Sequence, residues 1–340
     1  MKKIISLLFL MAIAGVVFSY SYYNSKMNYT FTGPSQVFEI KQGEGFASVN
    51  GRLLRRKIIS DARLFHYLAK KKKMVNKLKP GQFSIKPGMT MNDVMTLLTS
   101  TQSITIKVTF PEGRNIYQFG EILEKKGIIK KDEFVKYCKN PEIIKKLQIN
   151  APSLEGYLFP ETYYFSPKST IEQIVLTMHK QFKKVVSQLD FSSSFLQFDE
   201  VITLASIVEK ETGAKFERTK IAGVFTNRLK KKMRLQSDPT TIYGMYERYD
   251  GNIRKKDLLT PSPYNTYTLS RLPIGPIAAP SLDAIKAVLL PETHSFLYFV
   301  SKNDGTHIFT KNYKDHQKAV INYQIKRKNR KGKSWRDLKQ

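Results

Sequence analysis

The chain has 340 residues, enough for two or three domains, and its 41% hydrophobic and 12% aromatic composition excludes a disordered protein. Its formal net charge of +29 favours anionic partners such as nucleic acid, anionic lipid or an acidic wall polymer. The positive charge is spread along the chain without a zinc-finger spacing, a glycine-rich phosphate loop or an RNP-like aromatic motif, which argues against a nucleic-acid-binding protein.

The first predicted element is an uncharged apolar stretch, Ile4 to Tyr20, of the length that a membrane-crossing helix requires as a minimum. Lys2 and Lys3 precede it, and because positive flanks stay cytoplasmic, the rest of the chain is expected on the far side of the membrane. The alternative is a cleaved signal peptide, since Ser19, Tyr20 and Ser21 form a poor small-x-small cleavage site. Either reading predicts export, which leaves lipid headgroups and wall carboxylates as better partners than nucleic acid.

Hydrophobic periodicity then predicts a small α+β unit, followed by a strand and two further helices. The predicted strands are Val37–Ile40, Gly81–Ile85 and Thr105–Phe110, and the predicted helices are Phe46–Ile59, Ala62–Lys70, Thr90–Leu98 (capped by Thr90 or Asn92), Ile116–Lys126 and Ile171–Leu189.

A later helix, predicted over Phe198–Thr212 with Asp199 as its N-cap, carries the glutamate of greatest interest. Glu209 lies at the edge of the apolar face in the last turn, before the helix stop at Gly213. The helix dipole and partial burial are both expected to raise its pKa, as a general acid requires. Glu211 is expected to be solvated. From spacing alone, a glutamate in this position is more often an ordinary surface residue.

Four segments after this helix are predicted to be loops that carry amides, hydroxyls and tyrosines, with a turn centred on Asp238–Pro239. Sugar-binding sites use such groups, but the same residues also simply build turns. The segments read VFTNRL, RLQSDPTTIYG, SPYNTY and RLPIGPIAAP.

Seven motifs in order resemble those of the YceG-like (MltG) family of endolytic murein transglycosylases, from Ser153 to about Tyr323. Residues 36–100 more loosely resemble the LysM-like module that precedes the catalytic domain in that family. The motifs are EGYLFPETY, ASIVEKET, VFTNRL, RLQSDPTTIYG, YNTY, LPIGPIAAP and a late HIFT followed by a histidine.

The resemblance implies one catalytic glutamate, Glu209, which cleaves the MurNAc-GlcNAc bond of nascent peptidoglycan and forms 1,6-anhydro ends. It also implies a role in ending new glycan strands beside peptidoglycan synthases. Six residues in the matched motifs are candidates for substrate binding, and the three acidic ones among them are assigned to positioning or structural work. They are Gln236, Tyr264, Asn265, Glu155, Glu161 and Asp238.

No metal and no cofactor are expected. The chain has one cysteine, Cys138, and the spacings of His294, His307 and His316 match no usual ligand pair. Two alternative functions stay open at this stage: a non-catalytic wall-binding scaffold, and a hydrolytic muramidase with a second carboxylate.

The predicted fold class is α+β, with a single-pass anchor in the cytoplasmic membrane and an extracytoplasmic catalytic domain. The predicted divisions are a transmembrane helix at 1–23, a linker at 24–35, a LysM-like module at 36–104, a mixed α+β catalytic domain at 105–325 and a basic tail at 326–340.

Overall fold

The computed structural model describes residues 2–100, 104–211 and 213–326, without the side chains of residues 2–9 and 12. All but the first residue of the predicted basic tail at 326–340 lies outside the described residues. The mixed α+β character expected from the sequence is confirmed, since helices and three two-stranded sheets make up the described chain.

The helices and strands are numbered in chain order. The helices are α1 (Lys2–Met27), α2 (Phe46–Arg55), α3 (Ala62–Lys71), α4 (Met91–Thr99), α5 (Ile116–Lys125), α6 (Lys131–Cys138), α7 (Pro141–Lys146), α8 (Ile171–Val186), α9 (Phe198–Glu211), α10 (Arg218–Lys230), α11 (Asp238–Gly244), α12 (Lys255–Leu259), α13 (Leu282–Leu289) and α14 (Tyr313–Val320). The strands are β1 (Gln36–Ile40), β2 (Gly81–Ile85), β3 (Ile106–Thr109), β4 (Thr162–Phe165), β5 (Tyr298–Ser301) and β6 (His307–Thr310).

Helix α1 covers the predicted anchor. In the part of the chain that the structure describes, no helix meets both the length and the apolar character needed to cross a membrane.

The chain divides after Ile106 into two compact units, and the first unit also includes Tyr164–Lys168. In the first unit, β1 and β2 pair antiparallel in the register Phe38 to Phe83. Both phenylalanine side chains are fully buried in a core that α2, α3 and α4 complete. This core accounts for the alternating and helical patterns of the sequence, because each element turns one apolar face inward.

The second unit is organised around α9, which packs against α10, α11 and α13. Every residue from Val201 to Val208 is buried. Such all-round burial is the property of a central helix rather than a surface helix. The short β5–β6 sheet and helices α5 to α8, α12 and α14 complete this unit.

Several predicted boundaries hold closely, and β2 begins and ends where the sequence placed it. Thr90 caps α4 in a capping box with Asp93, as one of the two predicted alternatives. Helix α2 is shorter than predicted because it ends in a left-handed residue, Lys57 at φ 55°. The Ile58 amide then bonds back to the Leu53 carbonyl at 2.9 Å, which closes the helix.

Three local predictions were wrong. Helix α9 begins at Phe198, so Asp199 lies inside its first turn, where it accepts a hydrogen bond from the Tyr157 hydroxyl at 2.6 Å instead of capping the helix. Asp238–Pro239 opens helix α11 instead of forming a turn, because proline fits the first turn of a helix. The VFTNRL segment lies within α10 rather than in a loop.

Candidate active site

Glu209 lies in the last turn of α9, directly after the buried run that ends at Val208. Its side chain is 7% exposed. Its Oε1 accepts a hydrogen bond from Arg218 Nη2 at 2.8 Å, and its Oε2 accepts one from the Ser281 amide at 3.1 Å. The Ser281 hydroxyl donates a further bond to Oε2. The carboxyl group is therefore held by three donors in one orientation.

Ser281 is itself held in place as the N-cap of α13, where its hydroxyl oxygen accepts from the Ala284 amide at 3.1 Å. Because that oxygen accepts from α13, its proton is free to point at Glu209. The N-terminus of α13 thus contributes two donors, an amide and a hydroxyl, to a carboxyl group at the end of α9.

Arg218, at the start of α10, is as buried as the glutamate it contacts, with 7% of its side chain exposed. Its Nη1 lies 3.7 Å from Asp283 Oδ2, within range of an ion pair but too far for a hydrogen bond. Among the described residues, its Nε and Nη1 have no hydrogen-bond partner. A buried guanidinium with open donors is unusual, because unpaired buried donors are costly.

The Pro111–Gly113 turn reaches the same place from β3. The Gly113 amide donates to the Ala279 carbonyl at 2.9 Å, and Lys210 Nζ donates to the Gly113 carbonyl at 3.1 Å. A Cβ atom at Gly113 would lie 3.5 Å from Glu209 Cγ. The turn therefore packs directly against the Glu209 side chain.

A cleft of about 560 Å³ opens beside this cluster. Gly113, which packs against Glu209, and Lys210, the residue after Glu209, both lie on its wall. The cleft is lined by Gly113, Asn115, Gln118, Lys210, Pro239, Ile242, Tyr243, Tyr246, Tyr249 and Ile277.

Tyrosines dominate the wall of the cleft and the layer behind it. Tyr246 stacks on Tyr117 with ring centroids 4.4 Å apart, and Tyr243 meets Tyr264 edge to face at 4.8 Å. Aromatic faces with polar tips are suited to sugar rings, which present both apolar C–H faces and hydroxyls.

Glu155 lies behind the cleft rather than on its wall. It is almost fully buried, and its Oε2 accepts from the Ile116 amide at 2.9 Å. Burial raises the pKa of Glu155 to about 8, although the Ile116 amide and the Tyr243 hydroxyl oppose that shift. Tyr264 is close enough that Glu155 adds to the raised pKa of its hydroxyl, after burial.

The other predicted substrate residues are dispersed. Glu161 lines a separate depression and accepts from Gln181 Nε2 at 2.7 Å. Gln236 is exposed, with a left-handed backbone at φ 52°. Asp238 accepts from the Tyr267 hydroxyl at 2.6 Å. None of these side chains lines the cleft.

Asn265 is 1% exposed and ties the loop before it to α11 and α12. Its Nδ2 donates to the carbonyls of Leu258 and Thr260 at 3.0 and 2.7 Å, and its Oδ1 accepts from Thr241 Oγ1 at 3.0 Å. This arrangement matches the alternative that the residue satisfies a loop instead of contacting substrate.

Glu211 differs from the prediction that it is solvated. It is half-buried and accepts a hydrogen bond from the Ser237 hydroxyl. Burial, assisted by Asp238, raises the pKa of Glu211 to about 7, against the opposing effect of Ser237. The prediction failed because α11 packs against α9 at this point, a tertiary contact with no local signal.

The three histidines lie in separate contacts, two polar and one aromatic. His307 Nδ1 lies 2.7 Å from Glu217 Oε2, His294 Nε2 lies 2.9 Å from the Lys220 carbonyl, and His316 stacks on Tyr298. Within residues 2–100, 104–211 and 213–326, no group of three or more His, Cys, Asp or Glu side chains could hold a metal ion.

Sequence reasoning missed Arg218 and Ser281 as members of the site. A serine after Pro280 and before an apolar helical pattern is a recognisable N-cap, so the capping role of Ser281 could have been found. Its contact with Glu209 could not, because 72 positions separate the two residues in the chain. Arg218 is one of 57 basic residues and carries no local signal.

The model of the YceG-like family matches residues 38–322 of this chain. The chain therefore belongs to the YceG-like family. The resemblance noted from its motifs is thereby confirmed. The chain is 32% identical to the endolytic murein transglycosylase of Bacillus subtilis strain 168 over 310 residues, 86% of this chain and 85% of that protein.

Two further relatives support the same placement. The chain is 28% identical to the endolytic murein transglycosylase of Streptococcus pneumoniae strain D39, over 84% of this chain but only 57% of the relative. Its structure also resembles the crystal structure of a YceG-like protein from Listeria monocytogenes, with a TM-score of 0.56 and 29% identity over 85% of this chain and all of that one.

Proposed function

We propose that this protein is an endolytic murein transglycosylase, a lyase that cleaves the MurNAc-GlcNAc bond of peptidoglycan and leaves 1,6-anhydroMurNAc ends. One observation carries the proposal: a buried, oriented carboxyl group, Glu209, packs against Gly113, and Gly113 lies on the wall of a tyrosine-lined cleft. The similarity to relatives that are named for this activity supports the same conclusion.

In the proposed reaction Glu209 acts first as an acid. Its proton passes to the bridging oxygen as the bond from that oxygen to the anomeric carbon breaks, and positive charge develops on the MurNAc ring. Glu209 then acts as a base and takes the proton of the 6-hydroxyl, whose oxygen bonds to the anomeric carbon. No water enters, so one carboxyl group performs both proton transfers and ends the cycle protonated.

The surroundings of Glu209 suit this double role. The Ser281 amide and hydroxyl fix the orientation of the carboxyl group, so little reorganisation is needed between the two steps. Arg218 stabilises the carboxylate that exists between them.

The glycan would lie along the tyrosine wall of the cleft. Tyr246 and Tyr249 line the cleft with aromatic rings, and Asn115 and Gln118 line it with polar side chains. Gln236, Asp238 and Glu161 lie outside this cleft, so a role for them in binding requires a strand that extends beyond it.

The proposal extends to location and partners. The exposed apolar side chains of α1, among them Val16, Val17 and Phe18, support a membrane anchor, and we propose that it stays uncleaved in the cytoplasmic membrane. The catalytic unit then works outside the cytoplasm on nascent strands, beside peptidoglycan synthases. Residues 36–104 are proposed as a LysM-like module that helps to hold the glycan.

One competing function has an observation in its favour. Glu112 directly precedes Gly113, which packs against Glu209, and a hydrolytic muramidase needs two carboxylates. The products separate the two reactions, because a hydrolase adds water to the new end and a lytic enzyme does not.

The test is digestion of purified peptidoglycan by the full-length protein in detergent, followed by mass spectrometry of the fragments. We expect internal cleavage and new ends that are one water lighter than reducing ends. Fragments with reducing ends would establish the muramidase instead, and intact strands would favour a wall-binding scaffold.

Tyr246→Ala should weaken glycan binding. Loss of one aromatic face costs about 1 kcal/mol, so we expect KM to rise about five- to tenfold with little change in kcat. Tyr246→Phe keeps the ring and serves as the matched control, with KM close to that of the native protein. An unchanged KM in a folded Tyr246→Ala protein would remove Tyr246 from the binding wall.

A further inference from the structure

A second cleft, of about 450 Å³, shares the Tyr246 side chain with the cleft beside Glu209. Tyr117 lines the second cleft and stacks on Tyr246 with ring centroids 4.4 Å apart. The same Tyr117 ring meets Tyr243 of the first cleft edge to face at 6.3 Å. The two clefts are therefore neighbours along one layer of tyrosine rings, and a ligand that occupies the first can extend into the second.

Helix α6 forms much of the wall of the second cleft. Its Phe134 and Cys138 side chains are fully buried and fix the helix in the unit. The residues that α6 and its C-cap turn toward the cleft are Lys131, Asp132, Val135, Lys136 and Lys139. Because residues three apart lie on the same face of a helix, Lys136 and Lys139 present two ammonium groups side by side.

The ammonium group of Lys139 is held in place without a hydrogen-bonded carboxylate. Its Nζ donates to the Tyr117 hydroxyl at 2.8 Å and lies 4.8 Å from the centroid of that ring. Glu247 also lines the cleft, but its Oε1 lies 3.6 Å from Lys139 Nζ, too far for a hydrogen bond, and its side chain is 78% exposed. An ammonium group has three protons, so Lys139 keeps donors for an acceptor that enters the cleft.

Lys136 differs from Lys131 in its pairing. Lys131 forms an ion pair with Glu121 at 2.8 Å. Lys136 is exposed, and within the described part of the chain it has no ion-pair partner. Like charges one turn apart on a helix repel each other, so an anion between Lys136 and Lys139 relieves that repulsion. The second cleft thus fits a carboxylate attached to a ligand whose sugar rings lie on the neighbouring tyrosines.

We propose that the second cleft binds a carboxylate of the peptide that MurNAc carries, while the sugar strand occupies the first cleft. In intact peptidoglycan the lactyl group of MurNAc is tied up in an amide bond, so the free carboxylates belong to the peptides and not to the sugars. This inference rests on the proposed function and narrows its substrate to strands that retain their peptides. Lys136 and Lys139 are then the residues that determine this specificity.

The test compares two substrates for the full-length protein in detergent. One is uncross-linked strands with native peptides, and the other is the same strands after their peptide carboxylates are converted to neutral amides. The double substitution Lys136→Gln and Lys139→Gln should raise KM for native strands about fivefold. It should leave KM for amidated strands unchanged, and kcat for both. Glutamine at position 139 can still donate to the Tyr117 hydroxyl, so the substitution removes charge and keeps a donor.

Two further variants control for shape and for total charge. Lys136→Arg with Lys139→Arg keeps both charges and should keep KM for native strands near that of the unaltered protein. Lys255→Gln with Lys256→Gln removes the same amount of charge from two exposed lysines of α12 that line neither cleft, and it should change neither KM.

An equal rise in KM for native and amidated strands would assign the two lysines to sugar contacts or to the shape of the cleft and would overturn the proposal. An unaltered KM for native strands in the glutamine double variant would also overturn it, as would a loss that the arginine double variant shares.

A binding measurement separates this proposal from the proposed reaction. In a Glu209→Gln background, which should bind glycan without cutting it, titration calorimetry should show native strands binding about fivefold more tightly than amidated strands. Adding the two glutamine substitutions should abolish that preference. If the preference depends on the lysines but the native protein yields no anhydro ends, the peptide site stands and the proposed function fails. Anhydro ends without the preference would keep the proposed function and refute the peptide site.

Discussion

Glu209→Gln is expected to reduce glycan cleavage by about a thousandfold or more, because the glutamine can neither donate the proton to the bridging oxygen nor take one from the 6-hydroxyl. The substitution preserves shape, and the amide oxygen can still accept from Ser281 or Arg218. Asp283, 3.7 Å from Arg218, remains as a partial counter-charge. We therefore expect a folded protein that binds glycan but does not cut it, measured by release of anhydro-ended fragments.

Glu211→Gln is the matched control for this experiment. The two glutamates belong to the same last turn of α9, but Glu211 bonds to Ser237, away from Arg218 and Ser281. Its pKa, raised to about 7 by burial, gives it the acid strength that a general acid requires, so it is the strongest rival on that helix. Glu211→Gln should retain cleavage within about tenfold of the native rate. Loss of cleavage in Glu211→Gln with retention in Glu209→Gln would transfer the acid role to Glu211.

Periodicity predicted the helices that bury one face. The pattern over Phe198–Thr212 placed Glu209 in the last turn of a helix, and the structure places it there, although every residue from Val201 to Val208 is buried instead of one apolar stripe. Strand β2 and the Thr90 cap of α4 were also accessible, because alternation and capping are properties of a few neighbouring residues.

The composition of the site was not accessible in the same way. Glu209 on α9 receives its hydrogen-bond partners from α10 and α13 and packs against Gly113 in the turn after β3, so four separate parts of the chain meet at one side chain. Glu211, which the sequence predicted to be solvated, is instead an acid whose pKa burial raises to about 7. The local pattern located the end of the helix correctly. Only tertiary contacts determine that Glu209 pairs with Arg218 and that Glu211 accepts a hydrogen bond from Ser237.

The tyrosines and amides of the motifs also show that local sequence does not reveal which side chains contact each other. Tyr264 and Asn265 are adjacent in the chain, yet one borders the tyrosine layer behind the cleft and the other is enclosed in a network of backbone bonds. Residue type predicted a polar, aromatic site, but it could not separate the side chains that bind from those that hold a loop. Tyr246, which lines the cleft, lies two residues beyond the RLQSDPTTIYG motif and was not singled out.

Gly156→Ala is expected to lower the free energy of unfolding by about 3 kcal/mol, the largest stability loss we predict for a single added methyl group. Gly156 follows Glu155 and has φ 81°, where alanine costs about 1 kcal/mol. The new Cβ would also lie 2.5 Å from Pro276 Cβ and 3.3 Å from Ile202 Cγ2. Pro276 precedes the cleft residue Ile277, so relief of this clash must move the wall of the cleft as well.

Gly127→Ala separates the two contributions, because Gly127 has a similar φ of 66° but nothing within 4 Å of its added Cβ. It should lower the free energy of unfolding by about 1 kcal/mol and leave cleavage unchanged. Urea titration of both variants measures the difference. Equal losses in the free energy of unfolding would show that Pro276 moves without cost. The contact between Gly156 and Pro276 would then not position the wall of the cleft. If Gly156→Ala loses more free energy of unfolding than Gly127→Ala, and the folded protein cleaves more slowly, the contact between Gly156 and Pro276 positions the wall of the cleft.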